Sequence, residues 1–306
     1  IKPFVERMIK VSSTPIIVTP NAGLPQTDDE GHTYYDMNAD EFASEMKEIA
    51  SLNVHVLGGC CGTTPEYLSK TIALVKDLPI EPPVKKNISV VTSFSQAVEI
   101  GPKPVIIGER INPTGKKKFK QALRDGDINY ILSEGLKQED AGAHILDVNV
   151  GLPEIDEPKM MVEVMKKLQS VIALPLQIDT SDPIALEAAL RHYNGKAMIN
   201  SVNGKQESMD AVFPLVKKYG GVVVGLALDE EGIPDNAADR IRIAKKIYKE
   251  ASKYGIESKD IVIDGLAMTI SSDPTSAIAT LETLRIIRDE LHGHSILGVS
   301  NISFGL

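Results

Sequence analysis

From residue 104 onward, short runs rich in Val and Ile alternate with amphipathic segments, and this alternation constrains the fold more than any other feature. The runs are Val105–Gly108, Ile145–Val150, Leu176–Asp179, Ala197–Asn200, Val222–Ala227, Ile261–Asp264 and Ile296–Ser300. Between them, Tyr130–Ala141, Pro158–Gln169, Ala185–His192, Met209–Tyr219, Ala237–Lys253 and Thr275–Leu291 carry helical patterning. Strands apolar on both faces, alternating with helices, require a parallel sheet covered by helices. The spacing of the units predicts an α/β chain with a (β/α)8 barrel of TIM type over 104–306. A doubly wound sheet would need a Gly-rich loop after its first strand, and Glu109-Arg110-Ile111-Asn112 is not one. The pattern supplies seven strands, so this barrel is expected to lack its last unit.

The first hundred residues follow the same grammar. Phe4–Lys10, Ala39–Leu52 and Pro65–Lys76 read as helices, and Ile16–Thr19 and Val54–Leu57 as strands. Residues 1–76 are therefore expected to be the C-terminal portion of a second (β/α)8 barrel. Residues 77–103 hold Pro79, Pro82, Pro83 and Pro102 and read as a linker, with a β-like run at Ser89–Thr92. The chain opens on Ile1 and stops at Leu306 after an apolar run, so both ends are expected to be cuts in something longer.

Charge narrows the partners. A formal charge of -9 and 5% aromatic residues disfavour nucleic acid. Lys116, Lys117, Lys118 and Lys120 read as a solvated face. No apolar stretch reaches membrane-spanning length. The two cysteines are adjacent and make no disulfide framework, so the expected compartment is the cytoplasm.

Those cysteines lie in Gly58-Gly59-Cys60-Cys61-Gly62-Thr63-Thr64. Adjacent residues on a regular strand point to opposite faces. Glycines on both sides free the backbone to leave strand geometry. Two thiolates converging on one soft metal ion would account for the stretch. His55, inside the preceding strand, reads as packing.

In a (β/α)8 barrel the active site lies at the C-terminal ends of the strands. Those ends carry Glu109 and Asn112; Asp147, Asn149 and Gly151; Asp179 and Ser181; Asn200, Ser201 and Asn203; Asp264; and Ser300, Asn301 and Ser303. No His, Cys or Lys stands among them, which disfavours a soft-metal centre or a Schiff base there. A carboxylate can accept two adjacent N–H groups, and carboxamides serve mixed donor and acceptor edges. A pterin presents such an edge. The bland alternative is that each Asp or Asn merely caps the next helix.

The motifs Ile107-Gly108-Glu109-Arg110-Ile111-Asn112-Pro113-Thr114-Gly115, Asp147-Val148-Asn149, Ile178-Asp179-Thr180-Ser181, Ile199-Asn200-Ser201-Val202-Asn203-Gly204, Ile263-Asp264-Gly265 and Ser300-Asn301-Ile302-Ser303-Phe304-Gly305-Leu306 resemble, in order and spacing, the pterin-binding domain of cobalamin-dependent methionine synthases. Pro20-Asn21-Ala22-Gly23-Leu24-Pro25 and the Cys-Cys stretch resemble the end of the homocysteine-binding barrel of the same family. The resemblance implies a methyltransferase using 5-methyltetrahydrofolate, homocysteine, zinc, and cobalamin held by a domain outside this chain. It implies that Asp179, Asn200 and Asp264 hold the pterin edge, with Glu109, Asn112, Asp147, Asn149 and Ser303 around them. It implies that Asn301 reaches N5, with Asp264 as a second candidate for proton transfer. It implies zinc on Cys60 and Cys61, with a third cysteine absent from this chain.

Dihydropteroate synthases share such a barrel but would show a basic segment after the seventh strand, where this chain has Ser300-Asn301-Ile302-Ser303. Methyltransferases feeding a corrinoid protein would lack the Cys-Cys unit. A folate-binding module without turnover is the non-enzymatic alternative. With one unit lacking, the chain alone is expected to bind methyltetrahydrofolate weakly.

Overall fold

The computed structural model describes residues 1–271 and 276–303. The chain divides into two compact units, with the boundary between Asn87 and Ile88.

In the second unit seven parallel strands pair in chain order. They are Ile107–Ile111, Ile145–Val148, Leu176–Asp179, Met198–Asn203, Val222–Leu226, Ile261–Asp264 and His294–Ile296, the first to seventh strands. The order never reverses, which excludes the doubly wound rival, whose order turns back at its ligand crevice. Four of the helices between them begin on polar side-chain caps. Asp127 accepts from Tyr130 N–H, Asp156 from Lys159, Asp182 from Ile184 and Asn236 from Asp239.

Alternation along the strands sorts the side chains into two sets. Leu146, Val148, Ile178, Ile199, Val223 and Ile263 are buried in one cluster with the helices. Ile145, Met198, Val222, Val224 and Val262 turn the other way and form a second apolar cluster with Val91. Further along that same inner face come Asp147, Asp179, Asn200 and Asp264. The inner face thus has an apolar floor and a polar mouth.

The expected linker is corrected in its second half. Residues 88–103 belong to the second unit. Val90–Thr92 pairs antiparallel with Ala97–Glu99, and Val91 is fully buried in the floor. Thr92 N–H donates to Lys196 O at 2.9 Å, and Tyr193 Oη donates to Thr92 O at 2.8 Å. At Gly195 (φ +150°) a Cβ would overlap Thr92 O, so the hairpin's seat requires glycine there.

The seventh strand is also corrected. It is His294–Ile296, and Val299–Ser303 forms a 3-10 turn instead of continuing it. Phe304, Gly305 and Leu306 of the last motif, and Thr275 of the expected last helix, lie outside the described residues.

In the first unit, Ile17–Val18 pairs in parallel with Val56–Leu57. Helices Lys2–Val11, Ala39–Ala50 and Pro65–Val75 surround the pair. A capping box of Asn38 and Glu41 starts the middle helix. Val5, Ile16, Val18, Phe42, Met46 and Ile49 are in the core. Pro25–Thr27 and Thr33–Tyr35 form a hairpin that the sequence pattern had not indicated.

Candidate functional site

The mouth of the second unit is built around a buried carboxylate. Asp147 is 2% exposed and accepts from Gln177 Nε2 at 2.5 Å. Burial, then the Asp179 carboxylate, pushes it up to about 8. Donation from Gln177 and Asn200 pulls the other way, and Glu109 adds repulsion. Both causes favour the protonated form of this carboxyl, which shares its site with Asp179.

Asp179, opposite Asn200 in register, accepts from Asn149 Nδ2 at 2.9 Å. Its carboxyl is also raised, first by burial. Asn149 in turn accepts from Gly151 N–H at 2.9 Å, so one carboxamide ties the second-strand loop to the third strand. Asp264 accepts from Leu266 N–H at 2.8 Å. Burial raises it too, while the Leu266 N–H and Arg240 pull it down.

Helix capping does not explain these groups. The helices after the second and third strands are capped by Asp156 and Asp182, not by Asp147 or Asp179. The bland alternative holds in part elsewhere. Asn112, 6% exposed, is turned to Thr114 N–H at 2.8 Å, and Asn203 to Lys205 N–H at 2.9 Å. Their carbonyls shape the local turns.

Thus Asp147, Asn149, Asp179 and Asn200 are brought into one hydrogen-bonded group, with Glu109 exposed beside it. Asn301 and Ser303 are exposed on the 3-10 turn. Ile302 O accepts from Ile270 N–H at 3.1 Å and so ties that turn to the loop after the sixth strand. Strand-end reasoning missed Gln177, although it shares the inner face with Asp179 and is 4% exposed. Its Oε1 is buried without a partner among the described residues. Next to this group, Asn149, Thr180, Glu157, Asp156 and Asp182 line a cavity of 610 Å³. Thr180 Oγ1 donates to Glu157 at 2.5 Å on its wall.

In the first unit the Cys-Cys loop is zipped onto the other motif noted there. Cys60 N–H donates to Pro20 O at 2.9 Å, Ala22 N–H to Cys61 O at 3.0 Å, and Cys61 N–H to Asn21 Oδ1 at 3.2 Å. Gly62 takes φ +83°, and a Cβ there would come within 2.5 Å of the Tyr35 ring. Both thiols are exposed, with their sulfurs 3.8 Å apart. Two thiolates about 2.3 Å from one tetrahedral zinc stand about 3.8 Å apart. The pair therefore fits two corners of such a site. No cluster of three metal-ligating side chains occurs among the described residues. His55 holds Glu81 O at 3.0 Å through Nε2 and does not join the pair.

Comparison with known proteins follows this division. Residues 108–306 match the model of the pterin binding enzyme family, and residues 1–75 that of homocysteine S-methyltransferase. The chain is 32% identical over 311 residues to methionine synthase of Mycobacterium tuberculosis, covering 95% of this chain and 26% of that protein. The methionine synthase of Mycobacterium leprae is also 32% identical, over 97% of this chain and 26% of its own length. The chain thus spans about a quarter of the curated relatives it matches. Among solved structures, dihydropteroate synthase from Xanthomonas albilineans with 4-aminobenzoic acid has a TM-score of 0.55 at 22% identity, covering 69% of this chain and 77% of that one. The same enzyme with 7,8-dihydropteroate has a TM-score of 0.53 at 20% identity, covering 69% of this chain and 77% of that one. At such identities the likeness concerns the fold alone. With its family model spanning the barrel from Gly108 onward, the chain belongs to the pterin-binding enzyme family.

Proposed function

We propose that the chain is the folate-binding and part of the homocysteine-binding portion of a methyltransferase of methionine synthase type. Residues 104–306 would bind 5-methyltetrahydrofolate, and residues 1–76 would contribute to the homocysteine site. The observation that carries this reading is the group Asp147–Asn149–Asp179–Asn200 on an apolar floor, in a chain that also presents two thiols 3.8 Å apart.

Asp179, Asn200 and Asp264 supply acceptors and donors for the amino, ring N–H and carbonyl edge of a pterin. Asp147, holding its proton, donates as well as accepts. The orphan Gln177 Oε1 is a further acceptor. Such an array fixes the ring plane and leaves the methyl-bearing side open, so positioning carries much of the rate. N5 is a poor leaving group until it gains a proton or a strong hydrogen bond. Asn301, on the turn after the seventh strand, would stabilise the charge change at N5 because a carboxamide both donates and accepts. Asp264 is the second candidate for that proton.

The methyl acceptor is proposed to be cob(I)alamin on a separate domain. In the first unit Cys60 and Cys61 would hold zinc. Bound zinc would keep the homocysteine sulfur deprotonated at neutral pH. The reading as a dihydropteroate synthase is weakened by the absence of a basic residue in Ser300–Ser303 and by lower identity to those enzymes. The test is transfer of labelled methyl from methyltetrahydrofolate to free cob(I)alamin, with Asp179→Ala as control. Transfer lost in the variant supports the reading. Transfer unaffected by it removes the mouth from the reaction.

A further inference from the structure

Helix Ala237–Lys253 buries a cation beside the mouth. Arg240 is 1% exposed. Its Nε donates to Pro234 O at 2.8 Å, and its Nη1 to Gly265 O at 2.7 Å, Leu266 O at 3.1 Å and Thr280 Oγ1 at 3.0 Å. All four of these acceptors are neutral. A buried cation whose hydrogen-bond partners among the described residues are all neutral is costly to desolvate, and an apolar side chain of similar volume commonly serves stability as well.

Two observations tie Arg240 to Asp264. First, two of the carbonyls it holds belong to the residues that follow Asp264. Leu266 there adopts φ +58°, with its N–H on Asp264 Oδ1 at 2.8 Å. A non-glycine residue in that region is strained and persists only where its surroundings hold it. Second, among the described residues Arg240 is the cation whose charge favours the ionised form of Asp264, against burial. The register partners of Asp264 are Leu226 on the fifth strand and Ile296 on the seventh, both uncharged. Asp235, before the helix, is the other acid acting on Arg240.

We propose that Arg240 is a positioning residue of the mouth: its fork pins the Gly265–Leu266 turn from behind, and its charge, held beside Asp264, favours the carboxylate that faces the N–H edge of a ligand. The identity of that ligand rests on the function proposed above; the action on Asp264 does not. Lysine in place of Arg240 would keep the charge but lose the fork that spans four acceptors.

The test is a carboxyl carbon-13 titration of Asp264 in the full chain without ligand, the signal being assigned with Asp264→Asn. Arg240→Gln is expected to raise the proton affinity of Asp264 about tenfold. Arg240→Lys is expected to return it to within about threefold of wild type. An unchanged midpoint in Arg240→Gln overturns the proposal. Should that variant not fold, the wild-type signal decides. Asp264 ionised at neutral pH supports the proposal, and Asp264 protonated there overturns it. A parallel titration with methyltetrahydrofolate separates the two readings. Binding lost in Asp264→Asn and kept in Arg240→Gln overturns the role of Arg240. Binding kept in Asp264→Asn counts against the pterin reading, and the ligand-free titration then decides on Arg240.

Discussion

Asp147→Asn tests whether the mouth holds a proton at neutral pH. Folding buries Asp147 beside Asp179 and pushes it up to about 8. In the unfolded chain the same carboxyl ionises in the ordinary acid range. Between those limits the folded chain holds one proton that the unfolded chain has lost. An acid raised by folding contributes stability that is complete below its unfolded pKa and is lost as pH rises through its folded pKa. One proton corresponds to a fall in unfolding free energy of up to about 1.4 kcal/mol per pH unit. From about pH 5 to about pH 7 the contribution lost is therefore up to about 3 kcal/mol. The asparagine keeps the shape and cannot ionise, so this loss is absent in the variant. Groups away from the pair cancel in the difference; Asp179, coupled to Asp147, does not, so the difference reports the pair. The assay is urea unfolding by circular dichroism across that range. Wild type should lose stability relative to Asp147→Asn as pH rises. Parallel curves, or a relative gain by wild type, would refute the buried proton.

Four further outcomes follow from particular residues. Asn301→Ala should slow methyl transfer to cob(I)alamin by about 10²–10³-fold while weakening folate binding far less; equal losses in rate and binding contradict a transition-state role. Gly195→Ala should destabilise the barrel by about 1–3 kcal/mol, because the new Cβ displaces Thr92 and the hairpin; a neutral effect in thermal unfolding would show that the hairpin does not seal the floor. Asn149→Ala removes the donor to Asp179 and the acceptor of Gly151 N–H, and should cost about 1–3 kcal/mol in urea unfolding; wild-type stability would mean that the loop is held by other contacts. Cys60→Ser and Cys61→Ser should each weaken zinc binding, measured by competition with a chromophoric chelator; zinc held equally by the double variant would place the metal elsewhere.

The barrel was legible because its strands are apolar on both faces, which marks a covered parallel sheet. The polar mouth was legible because strand ends are where such a fold places chemistry. Three features escaped for physical reasons. The hairpin Val90–Glu99 lies among prolines that read as a linker, and its seat is made by Tyr193 and Lys196, about a hundred residues away. Arg240 acts through backbone carbonyls of Gly265 and Leu266, and carbonyls carry no sequence signal. The seventh strand ends early because the apolar run through Val299 carries no period-two signal to bound it, and the backbone turns at Gly298, whose carbonyl accepts from Asn301 N–H at 3.1 Å. Gln177 could have been found. The alternation Leu176-Gln177-Ile178-Asp179 puts it on the inner face, one pleat below Asp179.

The central claim is that the ring of carboxylates and carboxamides at the strand ends receives a pterin. The most direct measurement is an amide and side-chain NMR titration of the chain with 5-methyltetrahydrofolate up to millimolar concentration. The account predicts saturable shifts at Asn149, Asp179, Asn200, Leu266 and Asn301, with Val91, Met198 and Val222 of the floor unmoved. Saturable shifts confined to other surfaces, or none at the mouth while the chain stays folded, would contradict it.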